Sequence, residues 1–400
     1  MISIPARLRS IPTHRAGLCL GAAAFLALCA CQDSPSGSTG PSAGDPTGAT
    51  GSPTGTLDPT RSGAGDILTF ANTTTYGLVV KSDSTVWASG NNFDGQLGDG
   101  TKEDRATYVK TISGVRAVSV GVYQSLYAKG DGTAWAAGDN SDGQLGDGTL
   151  EDRPTPVKVM DSVAAVSAGY RHSLFVKRNG TAWAVGSNGS GELGDQGDKD
   201  RSTPVQVPVF NVVSAAAGTF CSMILDSDGK VWAVGDNQWS QLGNVSTGKL
   251  SKPTVVQTDV KAIALGIKIG AFLKTDGSVW VTGWEYGNTF LDDKPKALPL
   301  EKVMTDATAI AAGNAFLLML KKDGTLWAVN REVYRPLAST SSYSDPGTWQ
   351  VASGVVQISA GDMMGRFLKS DGTLWEVFVS VGTNGEKVTF YRGLPERVQL

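Results

Sequence analysis

The chain has 400 residues, 50 of them glycine, with 35 lysines and arginines against 38 acidic residues and a formal net charge of −3. That balance lacks the basic excess that nucleic-acid binding needs. Two histidines and four cysteines are too few for a histidine-based metal cluster or a disulfide framework.

Residues 1–30 carry Arg7, Arg9 and Arg15 with no acidic residue, followed by a small, apolar run from Gly17 to Ala30. That run is too short to span a bilayer and fits the core of a secretory signal. It ends Leu28-Cys29-Ala30-Cys31. This resembles a bacterial lipobox, and the resemblance implies cleavage before Cys31 and lipidation of its thiol. Choosing Cys29 instead would put bulky Leu28 next to the cleavage point. The competing reading is an ordinary cleaved signal in which Cys31 is incidental. Removal of the three signal arginines leaves 32 basic against 38 acidic residues, net −6.

Residues 31–65 form a Ser/Thr/Gly/Pro segment after the cysteine, with Leu57 as the only large apolar side chain. Such composition cannot bury enough surface to fold. As a flexible coil it spans roughly 30–35 Å, enough to hold a domain clear of a membrane.

From residue 66 to 400 the sequence repeats. Trp87, Trp135, Trp183, Trp232, Trp280, Trp327 and Trp375 are separated by 48, 48, 49, 48, 47 and 48 residues. A fixed period of this size denotes one supersecondary unit stacked many times. A clear unit reads Val163–Gly169, Ser173–Lys177, Thr181–Gly186, the turn Gly191–Asp195, then Pro204–Val207. These are four short β-prone runs broken by turn residues. The second and third runs are joined by Asp-Gly or Asn-Gly in six of seven units, from Asp131-Gly132 to Asp371-Gly372; the first unit has Asp83-Ser84. Such dipeptides between apolar runs predict hairpins with type I′ turns. Four strands per unit and seven units predict an all-β, seven-bladed β-propeller. Residues 66–400 hold seven whole periods, so the first strand near Ile67 and a fourth-strand segment at 395–400 should meet. A linear solenoid would need atypical capping units, and none is visible.

The strings Gly90-Asn-Asn-Phe-Asp-Gly-Gln-Leu-Gly-Asp-Gly-Thr101 and Gly138-Asp-Asn-Ser-Asp-Gly-Gln-Leu-Gly-Asp-Gly-Thr149 resemble the repeat of the regulator-of-chromosome-condensation family. Ala168-Gly169, His172-Ser-Leu174 and Asp131-Gly-Thr-Ala-Trp135 agree with it. The turn degrades in unit five and is lost in units six and seven. The resemblance implies a propeller that grips another protein through one face or an inserted wedge. Its members include a nuclear nucleotide-exchange factor and secreted bacterial inhibitors of β-lactamases. The sialidase Asp-box does not fit, because Lys369-Ser-Asp-Gly-Thr-Leu-Trp375 has different spacing.

Catalytic chemistry is hard to assemble. His172 is the only histidine after the signal and occupies a repeat position, so it is expected to be a structural hydrogen-bonding residue. Cys221 aligns with it and is expected to be a half-buried thiol. Asp99, Asp147 and Asp195 recur in Leu-Gly-Asp turns, where Asp commonly caps backbone N–H groups. Asp226-Ser-Asp-Gly229 begins like a calcium loop but lacks the glutamate at its twelfth position. We expect no catalytic residue, metal or cofactor.

Residues that break the repeat are more informative. Trp239, Trp284 and Trp349 lie off the tryptophan ladder, and Tyr286 and Tyr334 sit near the equivalent turns. Trp239, Trp284, Tyr286 and Tyr334 can form an aromatic arc for a partner, or can fill gaps left by degenerate turns; Trp349 lies farther along. A second candidate face is the loop after each Ala-Gly, holding Tyr123, Tyr170, Arg171, Phe220, Ile267, Lys268, Phe316 and Met363. Variable loops on a regular scaffold often carry recognition, although surface drift also explains them.

The expected function is a lipid-anchored, extracytoplasmic protein-binding or scaffold module, monomeric, bound to the membrane only through its lipid and not to nucleic acid. The alternatives are an inhibitor of secreted enzymes of the β-lactamase-inhibitor type, and a cell-wall polysaccharide enzyme using carboxylates such as Asp292 and Asp293. Nucleotide exchange on a GTPase rests on fold analogy alone.

Overall fold

The computed structural model describes residues 67–243, 248–285, 296–314, 316–330, 348–383, 388–392 and 395–400. The signal, Cys31, the tether, Tyr286, Asp292, Asp293 and Tyr334 lie outside the described residues, and Trp284 is described in backbone only.

Seven antiparallel sheets follow one another, at 67–113, 115–160, 163–207, 212–257, 260–304, 307–352 and 355–397. Each is a meander of four strands in chain order, the seventh carrying one strand more. In blade three the strands are Val163–Ala168, His172–Lys177, Ala182–Gly186 and Arg201–Val207. The first strand of every blade touches the first strands of both neighbours, and the first strand of blade one (Ile67–Asn72) touches that of blade seven (Val355–Ala360). The ring is closed: this is a seven-bladed propeller with its first strands innermost.

Among the described residues neither terminal blade borrows a strand from the other. The seam is closed by side chains instead. Gln357 Nε2 donates to Thr69 Oγ1 at 2.9 Å, Asn72 Nδ2 to the Met364 carbonyl at 3.1 Å, and Arg366 Nη1 to the Tyr108 hydroxyl at 2.9 Å. Ile67, Phe70 and Val79 pack there against Leu368 and Leu374. The expected terminal strand at 395–400 is reduced to Glu396–Arg397, paired with Trp375 and Glu376. The far end of the same long strand (Leu374–Thr383) pairs with an additional strand, Val388–Arg392.

Apolar clusters fill the interfaces between blades. Leu78, Val80, Val86 and Ala88 of blade one meet Val115, Val120 and Tyr127 of blade two. Trp135, Trp183, Trp232, Trp280, Trp327 and Trp375 are each half-buried against the cluster shared with the preceding blade. Burial alone does not explain a tryptophan at this position, and hydrogen bonding does. Trp135 Nε1 donates to Thr133 Oγ1 at 2.9 Å, and Thr133 donates to Asp131 Oδ1 at 2.7 Å. The turn thus satisfies the indole N–H at the blade rim. In blade four Lys230 replaces the threonine, and Asp226 accepts directly from Trp232 Nε1 at 2.9 Å. The calcium-like string is therefore a tryptophan clamp.

The hairpin turns differ from the type I′ expectation. Gly132 has a positive φ of 87° and Asp131 does not. Gly132 N donates to Lys129 O at 3.0 Å, and Lys129 N to Thr133 O at 2.9 Å. The loop therefore has three residues ending in a left-handed glycine. The aspartate sits in the middle of that loop with an ordinary φ, and its carboxylate accepts from the Thr133 N–H and hydroxyl. Ser84 takes the left-handed position in blade one, with φ 64°.

Candidate functional site

In a four-stranded meander the loops after the first and third strands emerge on one side of the disc, and the hairpin turns after the second strand emerge on the other. Trp239, in the loop after a third strand, therefore shares one face with the loops after the first strands. The inner edge of that face is set by glycines at the ends of the first strands. A Cβ on Gly121 would collide with the Gly169 carbonyl, and one on Gly169 would lie 2.5 Å from the Gly218 carbonyl. A Cβ on Gly313 would lie 2.5 Å from the Gly361 carbonyl. The innermost backbones approach too closely for a side chain.

Three residues beyond each glycine, or beyond Thr73 in blade one, stands a buried side chain, and the first three reach the next blade. The Tyr76 hydroxyl donates to the Gly121 carbonyl at 2.9 Å, and Gln124 Nε2 to the Gly169 carbonyl at 3.2 Å. His172 Nε2 lies 3.0 Å from Ser222 Oγ. Ser222 donates to the Glu192 carbonyl at 2.8 Å, so His172 Nε2 carries the proton and donates. Burial pushes the His172 pKa down to about 4, so the ring is neutral at pH 7. In blades four to seven this position holds Cys221, Ile269, Phe316 and Met364, all buried. Cys221 is thus fully buried, not half-buried, because it occupies an interblade position, and burial pushes its pKa up to about 12. Phe316 is a core residue for the same reason, and Ile267 is also buried. Neither belongs to the exposed face.

Tyr123, Tyr170 and Phe220 lie in the loops between these fixed points, one from each of blades two, three and four. They form a continuous row. The Tyr123 and Tyr170 rings are 5.8 Å apart at 57°, and Tyr170 and Phe220 are 5.8 Å apart at 75°. Both geometries lie in the favourable tilted or edge-to-face range. Phe220 is 40% exposed, and both tyrosines are half-buried. Burial, then the neighbouring Tyr170, pushes the Tyr123 pKa up to about 12. Arg171 lies over the Tyr170 ring at 5.4 Å and pairs through Nη1 with Asp142 Oδ2 at 2.8 Å. Arg171 therefore ties the row to Asp142 of the preceding blade.

The same face holds further candidates. Lys268 Nζ is 5.9 Å from the Trp239 ring, which joins the two groups of candidates. On the other flank, Phe93 in the third loop of blade one is 73% exposed. Sequence reasoning missed it because it sits inside a well-kept family turn; its signal was a large apolar residue where blades two and three have Ser141 and Gly189. Met363 is 39% exposed. Trp349 lies in a fourth strand and packs into the cluster between blades six and seven.

The repeated aspartates are structural. Asp99 Oδ1 accepts from Thr101 N and from Asn92 Nδ2, and Asp99 Oδ2 accepts from Arg105 Nε at 2.6 Å. Burial opposes ionisation there, yet bonds from Thr101 and Arg105 hold the carboxyl below its ordinary pKa. Asp147–Arg153 and Asp195–Arg201 repeat the pair. Among the described residues no three His, Cys, Asp or Glu side chains group as a metal site.

The sequence model of the RCC1-like domain family matches residues 40–329. No curated protein sequence is significantly similar to the chain. Among solved structures, yeast (Saccharomyces cerevisiae) Prp20p is 18% identical with a TM-score of 0.61, over 76% of this chain and 84% of that one. That structure is described together with the protein's binding to Gsp1p and histones. Human WBSCR16 is 20% identical with a TM-score of 0.58, over 74% of this chain and 85% of that one. At these identities the likeness is one of fold.

Proposed function

Because the chain belongs to the RCC1-like family of seven-bladed propellers, we propose that it works by binding another protein, without catalysis, through the face that carries Tyr123, Tyr170 and Phe220. The observation that carries this reading is the aromatic row. Three rings from three blades are held in contact on rigid loops, so little ordering cost falls on association. Aromatic residues with a polar rim are the usual anchors of protein interfaces. Yeast Prp20p, a propeller of the same fold, binds proteins, and its structure bound to Kap60 is known. The proposal includes the location: Cys31 carries lipid outside the cytoplasm, and the 31–65 segment tethers the ring.

Two measurements test it. Radiolabelled palmitate is incorporated by the wild type and not by Cys31→Ala; equal labelling removes the anchor. Envelope proteins retained by the wild-type ring are lost with Tyr170→Ala/Phe220→Ala and kept with Asp131→Ala on the opposite face. Retention by all three removes the aromatic face.

A further inference from the structure

One pair of positions recurs around the binding face. The third loop of a blade contributes Asp94, Asp142, Ser190 and Trp239 in blades one to four. The residue just before the second strand of the next blade contributes Tyr123, Arg171, Phe220 and Lys268. At two of the four junctions these positions meet directly. In the second junction they form the Arg171–Asp142 ion pair at 2.8 Å, with the guanidinium over Tyr170. In the fourth, Lys268 lies over Trp239. A cation held by an anion or a ring is thus the chain's own solution at two junctions.

The first junction has the acceptor without the cation. Tyr123 stands where Arg171 stands one blade later, near enough to the Asp94 carboxylate for the two groups to interact electrostatically. That carboxylate accepts no hydrogen bond and has no ion pair among the described residues; only its backbone N–H is engaged, with Gln96 Oε1 at 3.0 Å. Lys102, the nearby cation, is held by Asp152 at 2.7 Å. Asp139 accepts from Gln144 at 2.7 Å, so it too is occupied. Burial first, then the charges of Asp139 and Asp152, push the Asp94 pKa up to about 6. An arriving cation would relieve that repulsion. Phe93, 73% exposed, adjoins Asp94 in the chain and, with Tyr123, supplies aromatic surface nearby.

We propose that Asp94, flanked by Phe93 and Tyr123, receives an arginine or lysine side chain of the protein partner, completing from outside the pair that Arg171 completes from within. The inference rests on the binding face proposed above and specifies the partner's chemistry there. A guanidinium suits it best, because it pairs with a carboxylate and stacks on an aromatic face at once.

The test is panning of a random peptide library on the full chain, followed by fluorescence anisotropy of the enriched peptides. Each is made with its basic residue intact and with that residue replaced by a neutral isostere (citrulline for arginine). The proteins compared are wild type, Asp94→Asn, Tyr123→Arg and Tyr170→Ala. Enriched peptides are expected to share a basic residue beside an apolar one. Neutralising it, or replacing Asp94 by Asn, weakens binding about tenfold. Tyr123→Arg also weakens it, because the chain then supplies the cation itself. Peptides that lack a basic residue, or that bind Asp94→Asn as tightly as wild type, overturn the proposal. If such peptides still lose affinity on Tyr170→Ala, the binding face stands and only the cationic anchor falls. If binding is equal on all four proteins, or no peptide is enriched, both fall.

Discussion

Glu192 allows a quantitative test of the fold's internal logic. It takes the position of Gln96, Gln144 and Gln241 in blades one, two and four. There the amide oxygen accepts from the backbone two residues earlier, as Gln144 does from Asp142 N at 3.0 Å. The amide nitrogen donates five residues back, as Gln144 does to Asp139 at 2.7 Å. Glu192 keeps the first bond, from Ser190 N at 2.8 Å, but an ionised carboxylate has no proton for the second. Its Oε1 has no partner, and the residue is 1% exposed. Burial, partly offset by its hydrogen bonds, raises its pKa from 4.5 to about 7. Because the folded pKa lies above the unfolded one, the folded state holds the proton more tightly. The stability contribution is complete below pH 4.5 and is lost as pH rises through 7. The loss amounts to about 3 kcal/mol. Glu192→Gln restores the amide and cannot titrate. Urea unfolding measured from pH 5 to pH 8.5 should show the two proteins within about 1 kcal/mol at the acid end, and the variant about 3 kcal/mol more stable at the alkaline end. Parallel profiles for the two proteins would refute the reasoning, since every other group is common to both.

Further outcomes follow from backbone geometry. Ser84→Gly should stabilise the ring by about 0.5–1 kcal/mol, because it removes the cost of a side chain at φ 64°; an unchanged or lower urea midpoint would contradict this. Gly169→Ala should destabilise it by about 2–3 kcal/mol, since the new Cβ lies 2.5 Å from the Gly218 carbonyl and 2.8 Å from the His172 ring. A wild-type thermal transition in that variant would show that the innermost strands are less closely packed than described. Thr133→Val leaves the Trp135 indole without its acceptor at 2.9 Å and should cost about 1 kcal/mol, measured by urea unfolding.

The architecture was legible because its causes are local. The tryptophan period marks the interblade clusters, and the Asp-Gly pairs mark the hairpins. The turn type differs because an Asp-Gly pair alone does not separate a two-residue turn from a three-residue loop in which only the glycine is left-handed. Cys221 and Phe316 looked like surface or half-surface residues because their burial arises from a neighbouring blade, a contact absent from the linear pattern. The candidate residues of the Ala-Gly loops stand out by their variation, yet no linear pattern encodes the angle between rings on successive blades. That Trp239 shares a face with those loops follows only once strand direction is known. Phe93 was hidden by the regularity of the turn around it.

The central claim is that one side of the ring, and not the other, meets a protein. Photocrosslinking in the native cells, with p-benzoylphenylalanine at Phe220 or at Asp131, tests it directly. Phe220 is 40% exposed on the aromatic face, and Asp131 lies in a hairpin turn on the opposite side. The account predicts a discrete crosslinked species from position 220 and none from position 131. Crosslinks from 131 alone, or equally from both, would contradict it.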